Sequence, residues 1–359
     1  MVNISSHSTV GSGSYNPEDV IFLLNEIDIA PTDVAEKERL IQSGEKHYSE
    51  MISTESAPSP EHTLLYKKAL ANNAVRMASE VLALANAIAR EISDGPIILV
   101  SLVRAGLPLG VLLKGALLSG NRRCYHYGVS IIRDKGIDRA AMDAIACAHG
   151  TSNIVLVDGW TGKGAIAGEI KRSLDELEGY PDEPRLCVLA WLAASADDWI
   201  IPSGILGATV SGLISRTIWP NDDGMHGCIR YGHLAEVDQT QAFIAAIREA
   251  MATLAPEAIK TAAPWSESER AELQATALSV VDSVAGKYGI TNLNRIKPGI
   301  AEATRAVMRR VPEHVLVRSK NDPDVRLLMY LTDRAGIVVQ EVGNDLGPYR
   351  AITVIKKVS

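Results

Sequence analysis

The chain has 359 residues, 47% of them hydrophobic and 22% charged, with a formal net charge of −7. That length and balance exclude a disordered or fibrous chain and predict a buried core in two domains, or in one large and one small. The longest apolar runs, such as Cys187 to Ala194, fall short of the ~20 residues that cross a bilayer, residues 1–7 lack the basic and apolar regions of a secretion signal, and the four cysteines are widely spaced, so the expectation is a cytoplasmic protein with reduced thiols, no membrane partner, no disulfide framework and no structural zinc.

Residues 1–12 are rich in Ser and Gly and are expected to be mobile. Helical signals then dominate to Ile92. Val81, Leu84, Ile88 and Ile92 keep helical spacing until Asp94-Gly95-Pro96 ends the pattern, so residues 1–95 read as a helical cover docked on a sheet. Strand candidates follow at Ile97 to Val103, Tyr127 to Ile132, Ile154 to Val157 and Leu186 to Leu192, with helical stretches between them. This alternation predicts an α/β domain with a mainly parallel sheet over residues 96–258, closed by a helix from Gln239 to Leu254. A helical connector spans 259–290, with a helix from Ser266 to Tyr288, and a small α/β unit occupies 291–359. That last unit is expected to run helix, strand, helix, strand, strand, with apolar runs at Val315 to Val317, Ile337 to Val339 and Ile352 to Ile355.

Two strand ends carry the strongest chemical signal. The run from Asn153 to Val157 meets Asp158, turns through Gly159, Thr161, Gly162, Lys163 and Gly164, and opens a helix at Ala165 on which Ile166, Ile170, Leu174 and Leu177 share a face. Glycines let a backbone approach an anion closely, and a helix start offers unpaired N–H groups to it. A nucleotide-triphosphate loop needs Ser or Thr directly after Gly-Lys, and Gly164 stands there instead. The second end runs from Ile97 through Val103 into Arg104, Ala105 and Gly106, where a guanidinium beside backbone amides suits a pyrophosphate. A ligand-free turn and a solvated strand-end charge are the plain alternatives at these two places.

At these residues the chain resembles the type I phosphoribosyltransferases. The resemblance implies a type I phosphoribosyltransferase-like parallel sheet in which Arg104, Ala105 and Gly106 bind the pyrophosphate of phosphoribosyl pyrophosphate with magnesium. It also implies that Asp158 contacts the ribose and the metal, and that residues 161–165 cradle the 5-phosphate. Gly159 stands where that family usually carries a second acid. Over nearly the whole chain the sequence is similar to bacterial phosphoribosyltransferase-like proteins of tellurium-resistance and stress operons, which end in a Pelota-type RNA-binding domain. That family is also labelled cysteine protease StiP. The residues that carry this likeness include Gly13-Ser14-Tyr15, Thr32 to Glu38, His47 to Glu50, Pro202 to Leu206, Ser211 to Thr217 and Arg295 to Gly299.

The resemblance implies transfer or exchange of a base to make a ribonucleoside-type product, through an oxocarbenium-like centre stabilised by position and charge. Partners would be a phosphoribosyl ligand and a nucleobase-like acceptor. A non-catalytic sensor of such a ligand, coupled to RNA, is the second reading, and the oligomeric state is left open, a homodimer included. Arg133 and Lys135, in a charged turn, are candidates to close over phosphate, and Arg216 to face the same ligand; a solvated turn is the alternative. A third reading, a cysteine protease, rests on Cys228 with His226 and His233 nearby in sequence. Thiolate catalysis needs a His within hydrogen-bond reach, whereas the same residues also read as a core thiol with loop histidines, or, with Trp219, Asp222 and Asp223, as a nucleobase pocket. Charge is uneven: residues 295–359 hold 12 Lys and Arg against 7 Asp and Glu, a net +5, which leaves −12 on the remainder. Arg295, Lys297, Arg305 and Arg309 are the RNA-binding candidates there, with a solvated helix face as the alternative.

Overall fold

The computed structural model describes residues 10–160, 164–182, 184–190, 208–219, 224–259 and 266–357. In chain order, β1 (Ile21–Phe22) and β2 (Asn25–Glu26) precede α1 (Val34–Ser43) and the long α2 (Pro60–Glu91). Then follow β3 (Ile97–Leu102), α3 (Gly106–Ser119), β4 (Cys124–Val129), a hairpin of β5 (Ile131–Ile132) and β6 (Gly136–Ile137), α4 (Arg139–His149), β7 (Ile154–Trp160), α5 (Ala165–Asp175) and β8 (Leu186–Ala190). After α6 (Ala208–Ser211), β9 (Ile214–Ile218), β10 (Gly227–Arg230) and α7 (Thr240–Thr253), the C-terminal part holds α8 (Glu267–Lys287), β11 (Ile296–Pro298), α9 (Ile300–Arg309), β12 (Pro312–Val317), α10 (Arg326–Arg334), β13 (Val338–Glu341) and β14 (Ala351–Ile355).

The main sheet has the order β1-β4-β3-β7-β8, and each pairing in it is parallel. A parallel sheet buried on both faces calls for unbroken apolar strands, and β3 is one: Ile97 and Leu99 pack on one face with Val81, Leu112 and Phe243, while Ile98, Val100 and Leu102 pack on the other with Met142, Ile145 and Ile170. Helices α2, α3 and α7 therefore cover one side and α4 and α5 the other. Contact on the first side is close. A Cβ at Gly110 would lie 2.1 Å from Ser101 Oγ and 2.3 Å from His126 Nε2. Local signals set the helix starts, as where Ser59 accepts from the His62 amide ahead of Pro60, and where Ser266 and Glu269 form a capping box.

A smaller sheet, β2-β10-β9, flanks the main one. The C-terminal sheet runs β11-β14-β12-β13, with β12 and β13 parallel and its other pairings antiparallel. Helix α8 belongs to that unit's core, since Ala277, Val280, Val281 and Val284 pack with Ile296, Leu316, Tyr349 and Ile352. Among the described residues no helix is long and apolar enough to cross a membrane.

Several expectations shift. The N-terminal stretch adds an edge strand to the main sheet; two residues are too few to show a strand period. Residues 1–9 lie outside the described residues, but Val10 is buried in the main core, so the expectation of mobility does not extend to it. The single strand expected over 127–132 breaks at Ser130, whose carbonyl accepts from the Asp138 amide and whose hydroxyl meets the His226 ring. The C-terminal unit opens on strand β11 ahead of its first helix.

Candidate functional site

Strands β3 and β7 are hydrogen-bonded neighbours, so the two glycine turns lie side by side at the carboxyl edge of the sheet, where open α/β sheets place ligands. Their approach is tight. A Cβ on Gly106, the first residue of α3, would fall 2.1 Å from the Val157 carbonyl oxygen, and one on Gly159 would fall 2.9 Å from the Ala105 side chain. Ala105 takes helical φ and ψ at the cap of α3. Gly164 caps α5 at φ 77, a left-handed conformation that suits glycine. Thr161, Gly162 and Lys163, and the side chains of Ala165 and Arg216, lie outside the described residues.

The two charged residues at these tips have different surroundings. Arg104 is buried, and its Nη2 donates to Glu55 Oε1 at 2.9 Å. The same Glu55 oxygen pairs with Arg309 from α9. Asp158 Oδ1 accepts from the Gly159 amide at 2.7 Å. An edge of Asp158 remains accessible, yet protein surrounds the carboxyl, and desolvation pushes its pKa up to about 7 against the pull of the Gly159 amide and Arg305. Arg305 and Glu302, which also acts on Asp158, both sit on α9.

Helix α9 thus stands beside the strand tips, joined to Arg104 through Glu55. Its apolar face, Ile300, Ala301, Ala303 and Ala306, is buried. Glu302, Arg305 and Arg309 follow one another at i, i+3 and i+7 on another face, the spacing of one helical stripe. Just beyond the helix, Arg310 forks onto Glu38 of α1, with Nε to Oε2 at 2.5 Å and Nη2 to Oε1 at 2.8 Å. Burial acts to raise the Glu38 pKa, but the guanidinium outweighs it and holds the carboxyl below its ordinary value. Ser59 meets Tyr330 at 3.0 Å, Gln42 donates to the Lys356 carbonyl at 3.0 Å, and Arg133 Nη1 donates to Asn294 Oδ1 at 3.1 Å. Arg133 also stacks 5.3 Å above the Tyr48 ring. These contacts turn it toward Asn294 of the C-terminal unit.

The RNA candidates are likewise engaged within the chain. Arg295 binds Glu313 at 2.9 Å and the Ile355 carbonyl at 2.8 Å. Lys297 is buried 3.5 Å from Glu302, and Arg305 lies 3.7 Å from that same carboxylate.

Around Cys228 the structure separates what the sequence brings together. Cys228 is buried in the main core cluster with Phe22 and Ile214, and desolvation pushes its thiol up to about 12. His226 Nδ1 meets Ser130 Oγ at 2.6 Å, and its backbone amide donates to Asp138 Oδ2 at 2.6 Å. Burial lowers the His226 pKa to about 4. Its ring lies 5.1 Å from Trp219, over which Lys135 sits at 5.1 Å. His233 Nε2 bonds the Glu55 carbonyl at 2.8 Å. Asp222 and Asp223, expected beside Trp219, lie outside the described residues. Sequence reasoning missed Glu38 and Glu55; a buried carboxylate paired across 272 positions leaves no local pattern to find.

Against known proteins, the family described as "Tellurite-like stress resistance cysteine protease StiP" matches residues 13–248, and the PELOTA RNA binding domain matches residues 275–357. The protein called "Cysteine protease StiP" of Acinetobacter baylyi (strain ATCC 33305 / BD413 / ADP1) is 50% identical over 365 residues, covering 96% of this chain and 94% of that protein. The chain belongs to the StiP family. This kinship corrects the expectation of a phosphoribosyltransferase acting on phosphoribosyl pyrophosphate with magnesium, because a half-identical relative spanning nearly the whole StiP-family chain is named for cysteine protease activity.

Proposed function

We propose that this chain is a thiol peptidase of the stress response, with Cys228 as its nucleophile, joined to an RNA-binding C-terminal domain. The observation that carries the reading is the end-to-end match to a protein named as a cysteine protease. Cys228 is the thiol we assign because two imidazoles, His226 and His233, flank it in sequence and because strand β10 has a register shift between Gly227 and Ile229, where a small backbone change re-aims a side chain. Burial holds the Cys228 thiol protonated at neutral pH, and the thiolate is the form that attacks. In this reading the fold with Cys228 fully buried is a resting form, and activity requires a step that brings the thiol to water and to an imidazole. The thiolate would then attack the scissile carbonyl, the imidazolium would protonate the leaving amine, and water would release the acyl group from sulfur.

In this proposal the body is a transferase-like parallel scaffold whose strand tips, with Arg104 and Asp158, serve as docking ground for the C-terminal domain. The RNA part of the proposal draws on the domain match and on the net +5 carried by residues 295–359. Casein digestion under reducing conditions, with and without added RNA, tests the peptidase. Cys228→Ser should abolish cleavage while Cys147→Ser retains it. Undiminished cleavage by Cys228→Ser would remove the assignment.

A further inference from the structure

Across the boundary between body and tail, two carboxylates of the acidic part hold two arginines of the basic part. Glu38 is 1% exposed and takes the Arg310 fork, and Glu55, between Arg104 and Arg309, is 13% exposed. Planar guanidinium forks bind carboxylate and phosphate in the same bidentate way. Glu38, in the Arg310 fork, thus occupies the position that a nucleic-acid phosphate would take, and Glu55 neutralises Arg309 beside it through a single contact. The tail's arginine pair also lies next to the strand tips, so whatever removes it from Glu38 and Glu55 also lifts α9 from Arg104 and Asp158.

We propose that Arg309 and Arg310 form an RNA-phosphate surface for which Glu38 and Glu55 compete, so that RNA binding undocks the C-terminal domain and uncovers the strand-tip site. This rests on the RNA-binding half of the function proposed above and is independent of the peptidase half. The two states exclude each other because the Arg310 guanidinium cannot fork onto Glu38 and a phosphate at once. The hydrogen bond between Ser59 and Tyr330 and that from Gln42 to the Lys356 carbonyl break in the same movement, which makes release one concerted step.

The test uses the full-length chain with two fluorescein-labelled RNAs, a 20-nucleotide oligo(U) and a 30-nucleotide hairpin, titrated at several salt concentrations. If the docked form outweighs the open one about tenfold, it weakens apparent RNA affinity about tenfold. Glu38→Gln, which keeps the side chain's shape and removes its charge, should then bind RNA up to about tenfold more tightly. Arg309→Ala with Arg310→Ala should bind more weakly and lower the salt slope by about 2. Equal RNA affinity in the wild type and Glu38→Gln would overturn the competition while leaving RNA binding intact. No binding by any of the three proteins to either RNA would overturn the RNA-binding reading and the competition with it. Hydrogen exchange of the unsubstituted protein gives the same answer without a variant. RNA should raise exchange in residues 34–43 and 300–309 together, and a faster rate in neither would sink the proposal.

Discussion

Replacing Asp158 by Asn gives a stability change whose sign depends on pH. The carboxyl is raised from its ordinary 3.8 to about 7, chiefly by desolvation. Below pH 3.8 both folded and unfolded chains hold the proton, and the residue contributes no pH dependence. Between 3.8 and about 7 the unfolded chain ionises while the folded one does not, so stability falls as pH rises; above 7 the loss is complete. At 1.36 kcal/mol per pKa unit the gap sets an upper limit of about 4 kcal/mol. Solvent reaches part of the residue, so screening reduces this, and we expect about 1–2 kcal/mol. Asn keeps an oxygen to accept from the Gly159 amide, so the substitution isolates the charge. Urea unfolding of the body should show Asp158→Asn more stable than wild type by that amount at pH 8.5 and equal to it at pH 3.5. Equal stability at pH 8.5, or a loss, would mean that the folded chain compensates the Asp158 charge and that the desolvation argument is wrong.

Glycine requirements separate two positions. Gly106→Ala places a Cβ 2.1 Å from a backbone oxygen and should destabilise by about 3 kcal/mol or more, seen as a lower urea midpoint. Gly168→Ala, inside α5 with nothing within 4 Å, should instead gain about 0.5–1 kcal/mol. Thiol labelling without RNA should follow burial: exposed Cys147 reacts with iodoacetamide in the folded protein, while Cys124, Cys187 and Cys228 react only on unfolding, as peptide mapping would reveal.

Much of the framework was legible because its signals are local. The unbroken apolar run of β3 and the Asp94-Gly95-Pro96 stop after α2 each arise within a few residues. The two glycine turns were legible for the same reason, and parallel pairing of β3 with β7 put them side by side. Residues Ile21–Phe22 were not, since two residues in a sheet carry no period. Proximity in sequence marked Cys228 with His226 and His233, but not their partners, since His226 meets Ser130 and His233 the Glu55 carbonyl. The charged end of α9 read as a solvated or RNA-facing surface because the carboxylates that meet Arg309 and Arg310, Glu55 and Glu38, come from a different domain. Function was the least legible: the same strand-tip residues resembled a transferase loop, and only kinship along the full chain decided against that chemistry.

A mechanism-based label tests the assigned nucleophile most directly. The full-length protein, reduced and under the conditions in which it cleaves casein, is treated with an epoxysuccinyl peptide and mapped by mass spectrometry. The account predicts one adduct, on Cys228, with loss of casein cleavage in proportion to labelling. Cleavage that persists with Cys228 unlabelled, or an adduct confined to Cys147, would contradict it.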